Sequence, residues 1–415
     1  MTDSKREDDR RSMQEAASAQ QVERRSFLRS AGAVGMAAAL PFGFASAGAE
    51  AQVVSQTELA QSNQPPIAKP SRPVRFGVCG MSHDHIYGMT DAMIRGGGEL
   101  VSVYAAEPER GVAFAKRYPQ AKLVSSEEAV LNDPSLQLVL SSAVPNQRAP
   151  IGMRAMRQGK DFLSDKPGMT TLEQLAAVRH TIAETGKTYA IMYSELLEVR
   201  AAVKAGELVQ AGAIGKVIQT INIAPHQINQ RAGDAGGGLG RPDWFWDPER
   251  NGGILSDIGS HQVNQFLFYT GSTQAEVVAS QVANVRHPQH PQFQDFGDMM
   301  LRGNKGFGYV RLDWFTPYGV GTWGDGRLFI LGTDGYIELR KYADIAGRPG
   351  GDHLFLVDGK SARYLDCKNV PLPFGPQFIA DVANRTHVAQ DQTQCLLAEE
   401  LVLHAQGKAV HAVIT

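Results

Sequence analysis

Between Val74 and Met192 the sequence alternates short apolar runs with helix-length segments, and this alternation restricts the fold more than any other feature. The first run, Val74-Arg75-Phe76-Gly77-Val78-Cys79, passes into a glycine turn that ends at His83, and Ile86 to Ile94 then has the pattern of a helix. Leu100 to Tyr104 and Pro108 to Arg117 repeat the unit. Lys122 to Val124 precedes a capping box at Ser125 and Glu128, and Leu138 to Ser142 precedes a helix predicted over Ile151 to Gln158. Phe162 to Ser164 leads to a second capping box, Thr170 with Glu173, and a helix to Glu184, and Thr188 to Met192 closes the series. Strands joined by helical crossovers run parallel, so the expected fold class is α/β, with a doubly wound parallel sheet over residues 73–192.

The first turn of such a sheet binds phosphate, because residues without side chains let backbone N–H groups reach a pyrophosphate at the positive end of a helix. Gly77 and Gly80 serve this, with Met81 and Ser82 completing the turn. His83 stands where a third glycine is usual, so the fingerprint is incomplete, and a glycine turn without a ligand is the competing reading. The alternating elements behind the turn weigh against that alternative. His83 and His85 are expected to contact cofactor or substrate, the other reading being polar residues at a helix start. Glu107, just past the second strand, suits the ribose hydroxyl of NAD, whereas Arg110 suits the 2′-phosphate of NADP. NAD is the expected cofactor and NADP the alternative.

The first fifty-one residues carry a different signal. Arg24-Arg25-Ser26-Phe27-Leu28-Arg29 precedes a Gly- and Ala-rich apolar stretch from Ser30 to Phe44, and Ala45-Ser46-Ala47 and Ala47-Gly48-Ala49 offer small-residue cleavage sites. That order reads as a twin-arginine (Tat) signal over residues 1–51, directing export to the periplasm through the Tat machinery. A membrane anchor is the alternative, but the apolar stretch is shorter than the roughly 20 residues that cross a bilayer. Tat passengers cross folded, so a nucleotide acquired in the cytoplasm has to be held tightly. Residues 52–72, with Pro65-Pro66 and Pro70, read as a linker.

Residues 1–51 hold seven basic and seven acidic side chains, so their removal leaves the net charge at −2, and no nucleic-acid footprint is present. The remaining chain is long enough for two domains, and residues 193–415 are expected to form the second. Cys79, Cys367 and Cys395 are too few and too scattered for a disulfide framework and read as buried thiols.

Two separated segments carry the chemistry: Ser164-Asp165-Lys166-Pro167, and the run from Gly252-Gly253 through Asp257 to His261. Oxidising a secondary alcohol removes a hydroxyl proton while hydride leaves carbon, so a site needs a base tuned near neutrality and a cation facing the developing alkoxide. His261 suits the first task and Lys166 the second. Pro167 biases Lys166 away from helix, which holds it at a strand end. Asp257 lies four residues before His261, so on a helix the two share a face and the carboxylate orients the ring or bonds a substrate hydroxyl. An isolated histidine is more often structural; the company of Lys166, Asp257 and the glycine pair reverses that reading. His287 and His290 flank prolines without a completing ligand set, and no metal is assigned.

Tyr193 is expected to line the cleft or to be a core tyrosine. Asn229 to Asp243, rich in glycine, is expected to be a lid with Trp244 and Trp246 as a stacking edge, or a surface loop whose tryptophans pack inward. Beyond Gly271, segments Ala275 to Val282, Phe307 to Trp314, Arg327 to Leu331 and Tyr336 to Leu339 predict a mostly antiparallel sheet, and Gln377 to Arg385 and Thr393 to Ala405 predict helices that return to the first domain.

Gly77 to Gly80, Pro145-Asn146, Gly159-Lys160, Asp165-Lys166-Pro167, Gly215-Lys216-Val217 and Gly252 to His261 fall in the order and spacing of one family's landmarks. In these the chain resembles the glucose-fructose oxidoreductase and inositol dehydrogenase family, Gfo/Idh/MocA, across the length that follows the signal. The resemblance implies an N-terminal Rossmann domain and a C-terminal α+β domain whose open sheet pairs subunits into a homodimer or homotetramer. It implies that Pro145, Asn146, Asp165 and Lys166 border the nucleotide and that Lys166 and His261 flank the nicotinamide; Asn264, in the place of a family aspartate, is expected to neighbour the substrate together with Tyr193 and Trp244. Asp165 replaces the commoner glutamate, Ala149 a frequent histidine and Asn264 a frequent aspartate, which unsettles the substrate contacts rather than the reaction. The function expected is hydride transfer from a ring hydroxyl of a sugar, glycoside or cyclitol to NAD(P). The alternatives are NAD-dependent redox-neutral glycoside cleavage and a sugar-binding protein without turnover.

Overall fold

Six of the predicted apolar runs meet as a parallel sheet whose strand order reverses at the glycine turn. The computed structural model describes residues 52–53, 67–228 and 241–413. In chain order the first elements are β1 (Gln52–Val53), β2 (Arg75–Cys79), α1 (His85–Arg95), β3 (Glu99–Tyr104), α2 (Pro108–Arg117), β4 (Lys122–Leu123), α3 (Glu127–Leu131), β5 (Leu138–Ser141), α4 (Pro145–Arg157), β6 (Asp161–Asp165), α5 (Leu172–Thr185) and β7 (Tyr189–Met192). The parallel sheet runs β4-β3-β2-β5-β6-β7. Its order turns back between β2 and β5, and in open α/β sheets the crevice at that point, past the carboxyl ends of the strands, is where ligands bind.

Local chemistry accounts for the differences from the predicted elements. Helix α3 is capped by Ser126, whose side chain accepts the N–H of Ala129, and α5 by Thr171, which accepts that of Gln174, so each cap lies one residue beyond the predicted hydroxyl. Helix α4 begins at Pro145 rather than Ile151, because a proline in the first turn needs no N–H partner. Pro150 then sits inside the helix with no N–H to offer the Asn146 carbonyl, and Gln174 Nε2 donates to that carbonyl instead at 2.8 Å. The predicted linker is partly structured: β1 pairs in parallel with Arg363 and Tyr364, and Ser71 bonds to Asn384 and Ala383.

After β7 come α6 (Ser194–Leu197), α7 (Arg200–Gln210), β8 (Val217–Pro225), α8 (Pro248–Asn251), α9 (Ile254–Asp257), α10 (Gly259–Thr270), β9 (Ala275–Ala283), β10 (Phe296–Gly303), β11 (Phe307–Asp313), β12 (Arg327–Gly332), β13 (Gly335–Arg340), β14 (His353–Asp358), β15 (Ala362–Asp366), α11 (Phe374–Asn384), α12 (Gln392–Lys408) and β16 (Val410–Ala412). The ten-stranded second sheet, β1-β15-β14-β13-β12-β8-β11-β10-β9-β16, is mostly antiparallel, as predicted; β1, β11 on β8, and β16 pair in parallel. Its inner face covers α10, a helix with almost every residue buried.

The C-terminal helices do return to the first sheet. Phe374, Phe378, Ile379 and Val382 of α11 share a core with Val74, Phe76 and Val78, and full burial of such side chains stabilises by about 1.5–3 kcal/mol each. The approach requires glycine: a Cβ on Gly375 would collide with the Ala92 carbonyl of α1. The described residues therefore pack as one compact unit. The three cysteines are free and buried, and burial pushes the Cys79 thiol up to about 12.

Candidate active site

The end of β6 is fixed by a buried box of charges. Asp165 is fully buried and its carboxylate receives Arg148 Nη2 at 3.1 Å, His85 Nδ1 at 2.9 Å and the Lys166 N–H at 2.7 Å. Burial alone would raise this carboxyl; His85 and Arg148 hold it well below the usual carboxylate range. Arg148, buried on α4, also donates to the carbonyls of Ala143, Lys166 and Pro167. The Lys166 backbone, followed by a cis bond to Pro167, is thus held at its N–H by Asp165 and at its C=O by Arg148.

From that anchor Lys166 Nζ reaches Asp257 Oδ1 at 2.9 Å, with Lys166 nearly buried and Asp257 partly open. Gly252 (φ 90°) and Gly253 (φ 79°) turn the chain into α9, so that its last residue, Asp257, meets the lysine. Asp257 and His261 do not share one continuous helix. The helix is interrupted at Ile258, His261 lies in the first turn of α10, and the carboxylate pairs with Lys166 rather than with the ring.

His261 is 2% exposed, its ring lies 6.4 Å from those of both Tyr193 and His85, and its Nδ1 is buried without a partner among the described residues. Burial drives its basicity well below that of ordinary imidazole, and Lys166, His85 and Lys341 add to this against the pull of Glu195. The ring is therefore held in its neutral form, which can accept a hydroxyl proton and gives it up readily.

Beneath it is a second buried pair that no motif announced. Glu195 Oε2 takes Lys341 Nζ at 2.6 Å and Gln262 Nε2 at 3.0 Å, and Lys341, His261 and His226 hold the acid at about 2 although burial opposes them. His226, at the end of β8, is lowered to about 4, chiefly by burial.

The nucleotide turn is shaped by Gly80, whose φ of 88° and close approach to Ala143 leave no room for a Cβ. Ser82 Oγ donates to Glu107 Oε1 at 2.7 Å, while Glu107 Oε2 is buried without a partner among the described residues. Arg110 is held by Asp84 at 2.9 Å. Met81 turns its side chain into the core, leaving only its backbone at the turn, and His83 Nδ1 accepts the His85 N–H. Asn146 Oδ1, next to Pro145, is buried and has no partner among the described residues.

The substrate residues expected from sequence gather less well. The Tyr193 hydroxyl lies 3.0 Å from the Cys395 carbonyl and from Glu399 Oε1, which makes it a core tyrosine; burial lifts Glu399 to about 7. Trp244 is buried with its ring 6.4 Å from His83, and Trp246 stacks on His290, so both tryptophans pack inward. Asn264 lines a separate cavity of about 320 Å³ with Leu196, Phe268 and Phe374, because it lies three residues further along α10 than His261. The segment 229–240 of the expected lid lies outside the described residues.

Comparison with known proteins agrees with this architecture. Residues 74–193 match the model of the oxidoreductase family with an NAD-binding Rossmann fold, residues 202–338 the GFO/IDH/MocA C-terminal domain, and residues 21–41 the twin-arginine translocation signal. A crystal structure of a protein from Erwinia carotovora atroseptica SCRI1043 is 43% identical with a TM-score of 0.78, covering 82% of this chain and all of that one. A levoglucosan dehydrogenase solved with NADH and levoglucosan shares the fold at 16% identity and a TM-score of 0.64, over 81% of this chain and 98% of its own. The 1,5-anhydro-D-fructose reductase of Ensifer adhaerens is 28% identical over 210 residues, 49% of this chain and less than two thirds, 59%, of its own length. With both of its sheets matched and a twin-arginine signal ahead of them, the chain is an exported oxidoreductase that belongs to the Gfo/Idh/MocA family.

Proposed function

We propose that the protein is an NAD-dependent dehydrogenase acting on a ring hydroxyl of a sugar, glycoside or cyclitol. The observation that carries this is the pairing of Lys166 with Asp257, from two distant segments, at the carboxyl end of a parallel strand, with His261 close enough to feel the Lys166 charge and its ring 6.4 Å from that of His85 beside the glycine turn. In this reading residues 73–192 hold the nucleotide and residues 193–415 the substrate, and the exposed sheet face with Val278, Met300 and Phe307 pairs subunits into a homodimer or homotetramer.

The turn suits a dinucleotide: Gly80 lets it pass tightly over Ala143 at the carboxyl end of the first strand, and Glu107 Oε2, without a partner among the described residues, is an acceptor for a ribose hydroxyl. The same carboxylate repels a 2′-phosphate, and Arg110 is engaged with Asp84, so the choice is NAD. The bound nicotinamide supplies the two-electron hydride acceptor. The Lys166 ammonium faces the oxygen from which the proton leaves and stabilises its negative charge, Asp257 sets the direction of that ammonium, and the His261 imidazole takes the hydroxyl proton. The export signal favours a second reading, in which oxidation is transient and the cofactor is restored within each turnover as a glycosidic bond is eliminated.

Glu107→Gln is expected to weaken NAD binding about tenfold or more, since a hydrogen bond to a charged group contributes about 1.5–3 kcal/mol, with NADP affinity equal or improved. Titration of both nucleotides checks it. Mass and absorbance spectra of the isolated exported protein, before and after a panel of sugars, test the main proposal. Bound NAD and a rise at the dihydronicotinamide band with one class of sugar are expected; sugar-dependent hydrolysis without that rise would favour the second reading. Protein isolated without nucleotide and rebinding NAD only weakly would contradict tight retention.

A further inference from the structure

His83, His85 and Asp165 bring three potential metal ligands together at the nucleotide turn. Their donor atoms are already engaged. His83 Nδ1 accepts the His85 N–H, Asp165 is bound by Arg148, His85 and the Lys166 N–H, and an added cation would face the Arg148 guanidinium and the Lys166 ammonium. The arrangement that remains is an acid–imidazole pair. With Nδ1 donating to Asp165, the His85 ring has its tautomer fixed, and Nε2 carries the lone pair on the side away from the carboxylate.

His85 is 38% exposed, at the start of α1, and its ring centre lies 6.4 Å from that of His261. This separation is too great for a direct hydrogen bond and suits one intervening hydroxyl or water. The two rings differ in what surrounds them. A charge on the His261 ring is buried, has no partner at Nδ1 among the described residues and is opposed by Lys166; a charge on the His85 ring is offset at Nδ1 by the Asp165 carboxylate, which Arg148 keeps ionised. The other charged groups at this cluster are His83, in ring contact with His85, Asp84, held by Arg110, and Lys166 and Arg148, both of which act on His83.

We propose that His85, backed by Asp165, is where the proton of the substrate hydroxyl comes to rest, with His261 passing it on. The inference rests on the dehydrogenase reading above and divides its proton work between two rings. The hydroxyl O–H bond breaks as an N–H bond forms on His261. A proton then crosses the bridged gap to His85 Nε2, so that His261 ends neutral as it began, and the C–H electron pair leaves as hydride to oxidised nicotinamide. Asp165 remains a carboxylate throughout and acts as a positioning residue.

The test uses the full exported enzyme with NAD and whichever sugar of the panel reduces it. His85→Ala should lower kcat about a hundredfold or more, the usual contribution of a positioned acid–base group, with KM little changed, and added imidazole should restore part of the rate in a concentration-dependent way. A purely structural role would not be rescued by imidazole. Nitrogen NMR of the resting wild-type enzyme should show His85 protonated at Nδ1 and bare at Nε2. Hydride transfer in the wild type with no loss in His85→Ala, a loss that imidazole does not relieve, the opposite tautomer, or activity removed by a chelator and restored by a divalent metal would each overturn the proposal and leave the dehydrogenase reading standing. No hydride transfer by the wild type with any ring polyol would remove that reading and this one together.

Discussion

Lys166→Met is expected to reduce turnover about a thousandfold or more while leaving NAD affinity nearly unchanged. Removing a single donor to a developing oxyanion in a preorganised site typically costs about 10²–10³ in kcat. Here the loss is compounded, because Lys166 is also the counter-charge of Asp257 at 2.9 Å. Without the ammonium, the carboxylate stands beside the oxygen that must become negative, so the substitution exchanges attraction for repulsion. Nucleotide binding is spared because Nζ points to Asp257 and not to the Gly80 turn. Methionine fits the nearly buried stem, so folding should survive. Single-turnover absorbance with a parallel NAD titration separates the two effects, and an active Lys166→Met enzyme would refute the assignment.

Arg148→Ala is expected to destabilise the protein by about 3–5 kcal/mol, the range for removing one partner of a buried ion pair. Arg148 is 1% exposed, and its loss leaves Asp165 ionised in the interior and the carbonyls of Ala143, Lys166 and Pro167 without their donor. The sign of the pH dependence follows. In the wild type Asp165 is held below its unfolded range, so it adds stability above that range and loses it as the pH falls toward the folded value. Without Arg148 the carboxyl is held down less, by His85 and His83 alone, so it is protonated at a higher pH than in the wild type and the deficit should shrink as the pH falls. Denaturant midpoints of both proteins at neutral and mildly acidic pH measure this; equal midpoints at neutral pH would show that the guanidinium does not hold the strand end.

Part of this was legible in residues alone. The parallel sheet followed from apolar runs bounded by turn and cap residues, and adjacent hydroxyls explain why the caps fell one residue out: Ser125-Ser126 and Thr170-Thr171 each offer two candidates, and only backbone geometry selects the second. Lys166, Asp257 and His261 were legible because a lysine before proline and a glycine pair before a carboxylate and an imidazole are unusual company. The groups that set their properties were not. Arg148 is 17 residues from Asp165, His85 is 80 residues away and Lys341 is 146 residues from Glu195, so no local spacing records these contacts. Asn264 was expected at the site because it stands where the family has a frequent aspartate; it lines a cavity with Leu196, Phe268 and Phe374. The basicity of His261 depends on burial, which a sequence does not display.

The central claim is that a ring hydroxyl meets Lys166 and His261 beside the nicotinamide and gives up its carbon-bound hydrogen as hydride. The most direct measurement supplies the wild-type enzyme with sugars deuterated at single ring carbons and weighs the nicotinamide afterwards. The account predicts deuterium in the nicotinamide from one ring position, abolished in Lys166→Met. A sugar that binds tightly yet leaves the nicotinamide unlabelled at every position would contradict it, and would make the protein a carbohydrate receptor built on an oxidoreductase fold.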